Sequence, residues 1–428
     1  MTFAAKPIDW FWQAWLAAIV FVFPLPGTIA LRNLLLLVGL LVLLATLRGT
    51  ARPHPSRILR PVAWALVATT AWLVLQSVAV APSPTVAVGN LRGDWLVPLL
   101  CAALACYVAA RLSPRQSVGA IVLALLANAL LMMAWQLWIW ISSGATGGWP
   151  GGVVPFGERD QFSSVGGMLL ALTFGDRLAA LYQGRREALF QHRAGWVAMV
   201  IALLADAATR VRNGTVVSAA MLVAAAIAMS RRKPQILILL LVALALGSAS
   251  VALDTRWSRS FESLAVGWSS PSLYWQTWDP ATRPATPSGT MLEESAYARA
   301  AWAHQAMQAI GDHPLGLGFG RDAFGRAIEM KYGYKGMVSC HSGWLDFALA
   351  AGIPGLALLL LTAALAIRGG WRQFREHEDA AGLMFCFLVG SYVLRCLLDG
   401  HMSGWRLGLF AFICGVLIAA MKRPPQTA

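Results

Sequence analysis

The chain has 428 residues, of which 58% are hydrophobic and only 13% charged, with a formal net charge of +14. Soluble domains carry about 25% charged residues, so this composition and the mean hydropathy of +0.61 exclude a soluble globular protein and indicate an integral membrane protein. The basic excess needs no nucleic acid: Lys and Arg are retained in cytoplasmic loops and meet anionic lipid headgroups there, so no nucleic-acid partner is expected beside the membrane lipids.

A membrane-spanning helix needs roughly 20 mainly apolar residues. About twelve such stretches are placed, at 11–30, 32–47, 61–81, 95–112, 117–141, 162–181, 195–209, 214–230, 235–253, 352–368, 381–398 and 404–421. Only Pro24, Pro26 and Gly27 separate the first two. Lys6 is the one lysine ahead of the first stretch, and no small-residue cleavage site follows it, so this stretch is expected to be a retained anchor.

Alternate connections carry the basic residues: Arg48 to Arg60, Arg111 and Arg115, Arg185 to Arg193, Arg231 to Lys233, Arg368 to Arg375, then Lys422 and Arg423. These are expected to lie in the cytoplasm with both termini. The connection from Asp254 to Ala351 mixes eight basic with nine acidic residues and is expected to face out. The predicted fold is therefore an all-α polytopic membrane protein with about twelve transmembrane helices and one large outer loop containing amphipathic helices. Its expected parts are helices 1 to 9 over 1–253, the outer loop over 254–351, and helices 10 to 12 with a short tail over 352–428. No inverted internal repeat is visible, which argues against a transporter.

Cys101, Cys106, Cys386, Cys396 and Cys414 fall inside spans, where cysteine behaves as a small apolar residue. Cys340 is alone in the outer loop, so no disulfide is expected. A structureless loop of that length is improbable in a compact protein, and two helices are expected in it. Its first part, Trp257 to Gly289, holds Trp257, Trp268, Trp275 and Trp278 at irregular spacing. Two readings stay open there: an interfacial aromatic belt, or a surface that stacks on sugars or grips lipid. Glu293 to Ile310 follows as an amphipathic helix that places Arg299 near Ala296, Ala300, Ala303 and Met307. Pro314, Gly316, Gly318 and Gly320 end it in a tight turn. A second helix is expected from Ser342 to Ala351, before Gly352, Pro354 and Gly355 lead into the next span. His341 then stands at a helix start at the mouth of the membrane, either as a titratable base or as a structural cap.

Charges near bilayer depth are costly and mark functional positions. The turn from Thr209 to Gly214 places Arg210 and Arg212 at the outer end of an apolar helix. Guanidinium forks match phosphate oxygens bidentately, with snorkelling to headgroups as the alternative. Glu158 and Asp160 form a weak candidate metal pair, and acidic residues also suit a helix N-terminus. In the last outer turn His401 is a rival base, while Asp399 with Arg395 and Arg406 nearby reads as an ion pair fixing that turn. Cys340 lacks a nucleophile elbow, and the glycines at 316, 318 and 320 lack the strand and the Gly-Lys-Ser/Thr run of a phosphate loop.

The run Arg299 to Trp302, then His313 to Gly318, then His341 to Leu345, ending in Gly352 to Leu356, resembles the outer-loop signature of the bacterial O-antigen ligase and O-antigen polymerase superfamily. Thr209 and Arg210 are similar to its short Ser/Thr-Arg motif. The resemblance covers the span plan and, in detail, roughly Thr209 to Gly355; the Trp-rich stretch before Glu293 departs from shorter members. It implies an inverting, metal-independent glycosyl transfer, without a cofactor, at the periplasmic face of the bacterial inner membrane. The implied donor is polysaccharide on undecaprenyl pyrophosphate and the implied acceptor is the lipid A core oligosaccharide. His341 would be the base, and Arg210, Arg212 and Arg299 would hold the pyrophosphate; which of Arg210 and Arg212 matches the family arginine stays open. The ligase is favoured because the chain stops after its twelfth expected span, where protein-glycosylating relatives carry a further outer domain. Polymerase activity is the alternative. A transporter of an anionic lipid or solute is the alternative of another class, disfavoured by the lack of repeats and of mid-span charges.

Overall fold

The computed structural model describes residues 7–46, 57–144, 159–209, 211–230, 255–269, 273–400 and 402–421, without the side chains at 159–161, 207, 212, 215, 228–230 and 255–256. Every regular element among the described residues is helical. In chain order these are α1 (Pro7–Val22), α2 (Ile29–Ala45), α3 (Arg60–Leu75), α4 (Pro84–Leu91), α5 (Val97–Ala109), α6 (Pro114–Ser142), α7 (Arg159–Tyr182), α8 (His192–Thr209) and α9 (Arg212–Ser230). After them come α10 (Thr255–Ser269), α11 (Tyr274–Thr277), α12 (Glu294–Asp312), α13 (Ala323–Tyr332), α14 (Gly343–His377), α15 (Ala380–Leu398) and α16 (Gly404–Ala420).

Among the described residues six helical stretches are long and apolar enough to cross a membrane: 57–80, 84–109, 114–142, 162–182, 343–377 and 380–398. Shorter apolar helices at 7–22, 29–45, 216–227 and 404–420 accompany them. The architecture is that of an all-α polytopic membrane protein, and the expected span at 235–253 lies outside the described residues. One expected boundary moves. The stretch placed at 95–112 begins at Pro84, because a π-helical turn at Arg92–Leu96 carries α4 into α5 without a break.

Close helix contacts rest on glycine where backbones touch. A Cβ on Gly370 would meet the Gly382 carbonyl at 2.6 Å, and one on Gly175 would meet Met384 Cα at 2.7 Å, so α14, α15 and α7 approach as small-residue interfaces do in lipid. At its start α6 carries a reciprocal capping box between Ser113 and Gln116, which satisfies two of the N–H groups a helix start leaves open.

A second apolar core forms outside the bundle from α10 to α13 and the first turns of α14. It buries Tyr274, Trp275, Leu292, Tyr297, Phe324 and Ile328. The sequence reading expected two helices between 254 and 351, whereas α10, α11 and α13 are present besides α12 and the start of α14. Trp275 is buried in this core, edge-on to Tyr332, so it belongs to neither an interfacial belt nor a binding surface. Trp268 and Trp278 stay exposed.

The glycine-rich turn after α12 locks this cap onto the bundle. Gly352 adopts φ 75° and ψ 172° and kinks α14, which leaves carbonyls and an N–H without helical partners. The 313–318 turn supplies two replacements: Leu317 N–H donates to the Leu349 carbonyl (2.7 Å) and the Pro314 carbonyl accepts from Ile353 N–H (2.9 Å). Trp72 Nε1 donates to the Ala351 carbonyl at 2.7 Å. A Cβ on Gly316, itself at φ 87°, would meet Gly352 N at 2.5 Å, and only glycine allows that approach. The run at 314–320 is thus a turn that repairs a kink.

Candidate functional site

Arg299 sits in the second turn of α12, half-buried, and its Nη1 donates to Asn213 Oδ1 at 3.2 Å. Asn213 opens α9 and uses its amide N–H groups on the Leu398 carbonyl (3.1 Å) and on Asp399 Oδ1 (2.7 Å). Asp399 ends α15 and pairs with Arg395 one turn earlier at 3.6 Å. Arg395 Nη1 donates to the carbonyl of Ser163 (2.8 Å) and to its hydroxyl (3.0 Å). The Ser163 and Ser218 hydroxyls in turn donate to the two oxygens of Asp206, at 2.9 and 3.0 Å. One polar network therefore ties α12 to α7, α8, α9 and α15.

Charge is distributed unequally within it. Arg395 is buried and faces the carboxylate of Asp399, with Asp206 also in electrostatic reach; burying a cation demands such partners. Arg299 touches the neutral Asn213 amide, and no described carboxylate pairs with it.

His341 is brought to the same place by the start of α14. Asp346, in the first turn of that helix, accepts from Ser339 Oγ (2.6 Å) and from Cys340 N–H (2.9 Å), and Ser339 Oγ accepts from His341 N–H (3.0 Å). These bonds hold the strap 339–342 in a shape that turns His341 to φ 60° and leaves it exposed. A non-glycine residue in that region costs on the order of 1–3 kcal/mol and persists where the surroundings impose it. The imidazole stacks on Trp302, with centroids 5.2 Å apart and planes at 18°. Trp302 lies three residues after Arg299, on the same face of α12, and its buried Nε1 has no partner among the described residues. Arg299, the Trp302 indole N–H and the His341 ring thus lie along one face of α12.

The two halves also meet through backbone, since Gly343 N–H donates to the Asp399 carbonyl at 3.1 Å. A Cβ on Gly343 would meet Met402 Cγ at 2.8 Å and the Asp399 and Cys396 carbonyls at 3.1 Å. Gly343→Ala is expected to cost about 1–3 kcal/mol, as overpacking does, and to displace the His341 strap. A lowered melting temperature of the detergent-purified protein, together with reduced activity, checks this.

The remaining sequence candidates divide clearly. Arg210 and the side chain of Arg212 lie outside the described residues, as do Glu158, His401 and the side chain of Asp160. Thr209 is buried, its hydroxyl donating to the Asp206 carbonyl at 2.6 Å and accepting from Val211 N–H at 3.2 Å. Asp399 and Arg395 form the expected ion pair, which reaches further than the turn it was expected to fix. Cys340 is buried, and that burial pushes its thiol well above the usual range, so the thiolate needed for nucleophilic attack is suppressed. Among the described residues no three His, Cys, Asp or Glu side chains gather as a metal site would require.

Residues 197–360 match the family described as O-antigen ligase. No curated protein matches the chain. The matched stretch runs from α8 into the first half of α14 and holds Asp206, Asn213, Arg299, Trp302, His341 and Asp346. Arg395 and Asp399 complete the network from α15, outside it.

Sequence reasoning passed over Asn213, Trp302 and Asp346, and gave Asp206 and Ser163 no role. A signal existed for Asp206, because a carboxylate three residues before the end of an apolar helix is costly without a partner. Asn213 and Asp346 carried no such signal. Asparagine and aspartate in the first turn of a helix are ordinary, and their partners are set only by folding.

Proposed function

We propose that this protein is an O-antigen ligase. It transfers polysaccharide from undecaprenyl pyrophosphate to a sugar hydroxyl of the lipid A core oligosaccharide in lipopolysaccharide biosynthesis. The observation that carries this reading is the convergence of Arg299, with no described anionic partner, and exposed His341 on one face of α12, inside a segment that matches the O-antigen ligase family.

The chemistry follows from those groups. A neutral imidazole at 341 accepts the proton of the acceptor hydroxyl. The oxygen then bonds to the anomeric carbon from the face opposite the pyrophosphate, the bond from that carbon to the phosphate oxygen breaks, and the configuration inverts. Undecaprenyl pyrophosphate departs with the extra negative charge. Arg299, together with Arg210 and Arg212 in the neighbouring turn, holds that charge as it develops, the type of electrostatic stabilisation that contributes most in many enzymes. Trp302 Nε1 offers a further donor. Guanidinium groups in this role make a divalent metal unnecessary.

In this reading helices 1 to 9 occupy 1–253, the catalytic loop 254–351 is periplasmic, and the last three helices occupy 352–428. The bilayer is the bacterial inner membrane, and both termini are cytoplasmic, as the alternation of basic loops requires.

Removal of the gene followed by lipopolysaccharide electrophoresis tests the assignment. Uncapped core with accumulated lipid-linked polymer is the expected result; a cap of a single repeat would make the protein a polymerase, and an unchanged pattern would favour transport. Transfer by the purified protein is also expected to survive an excess of chelator. Activity lost in chelator and restored only by added divalent metal would refute the metal-free scheme.

A further inference from the structure

A cavity of about 200 Å³ lies beside the His341 strap. Ser339 and Gly343, which flank that histidine by two residues on either side, both line it, as does Asp346. Its mainly apolar lining includes two carboxylates, Asp94 and Asp346. Asp94 accepts from Gly404 N–H through Oδ1 at 3.0 Å and has no described partner on Oδ2. Asp346 accepts from Ser339 Oγ and Cys340 N–H, with the Cys340 thiol also bonded to it, and a carboxylate oxygen has two lone pairs. The floor is apolar: Phe319 lies edge-on to Phe347, and both pack against Trp95. Arg321 lies exposed at the edge.

Two carboxylates in a small concave space repel a pyrophosphate, whose charge suits the Arg299 side of the strap. Their lone pairs suit hydroxyl donors, and an apolar floor suits the C–H face of a sugar ring. We propose that this cavity is the acceptor subsite and holds one neutral sugar ring of the acceptor glycan, its hydroxyls on Asp94 and Asp346, beside the strap that carries His341. This rests on the transferase reading above.

The test uses the full-length protein in nanodiscs, with lipid-linked polysaccharide as donor and delipidated core oligosaccharide as acceptor. Val338 lines the cavity and is 52% exposed, so Val338→Trp fills the space without disturbing the core. Asp94→Asn keeps an oxygen for Gly404 N–H while removing the charged acceptor. Both variants are expected to raise the acceptor KM about tenfold, the loss typical of a charged hydrogen bond, with the donor KM unchanged. An unchanged acceptor KM, or a raised donor KM, in both variants overturns the proposal. Saturation-transfer NMR of the same core oligosaccharide separates this outcome from failure of the transferase reading. Binding by wild type that Val338→Trp abolishes supports the subsite even if no transfer is seen, and absence of binding by wild type overturns it.

Discussion

His341→Ala is expected to leave the protein folded in the membrane while cutting transfer roughly 10²- to 10⁴-fold, the range that a positioned general base contributes. The fold should tolerate it, because the strap is held by backbone and by neighbours: Asp346 binds Ser339 Oγ and Cys340 N–H, and Ser339 Oγ accepts from the histidine's N–H. The ring itself is exposed and stacks on one face of Trp302. The loss should appear as uncapped core on a lipopolysaccharide gel, with wild-type amounts of protein in the membrane fraction. Normally capped lipopolysaccharide from His341→Ala would defeat the base assignment.

Arg299→Ala is the second large effect. Loss of one preorganised donor at a developing oxyanion typically lowers kcat by about 10²- to 10³-fold, and a comparable loss is expected here. Arg299→Lys should recover little, because an ammonium is a point charge without the planar fork that grips two phosphate oxygens. The alanine variant should fold, since Asn213 keeps its bonds to Leu398 and Asp399 without the arginine. Single-turnover transfer in nanodiscs, with protein level and melting temperature measured alongside, separates a catalytic loss from a folding one. A variant that melts early but turns over normally would assign Arg299 to the scaffold.

How far each feature was legible depends on where its partners lie in the chain. The kink before Pro354 could be read from Gly352, Pro354 and Gly355, because the signal is local. α10 was not recognised, although Phe261, Leu264 and Trp268 are exposed along it while Ser260, Ser263 and Gly267 are buried. Its serines and tryptophans read as loop composition and hid a helical period. For α13 the apolar residues Ala323, Phe324, Ala327 and Ile328 are buried, but polar neighbours diluted the pattern. At the site, His341 and Arg299 stood out as isolated charges in an apolar chain. Asn213 did not, because its meaning depends on Asp399, 186 residues away.

The amino-acid order alone settled the medium and the material: apolar stretches of bilayer length make helices, since lipid offers no other partner for backbone N–H and C=O groups, and the glycines at the turn and kink permit conformations that other residues resist. Tertiary structure alone decided which charges remain available. Arg395 and Arg299 are the same residue type in similar helical settings, yet folding sets Arg395 against Asp399 and turns Arg299 to a neutral amide beside the His341 ring. That difference arises from contacts between helices distant in sequence, where the desolvation of each cation is or is not offset by a carboxylate.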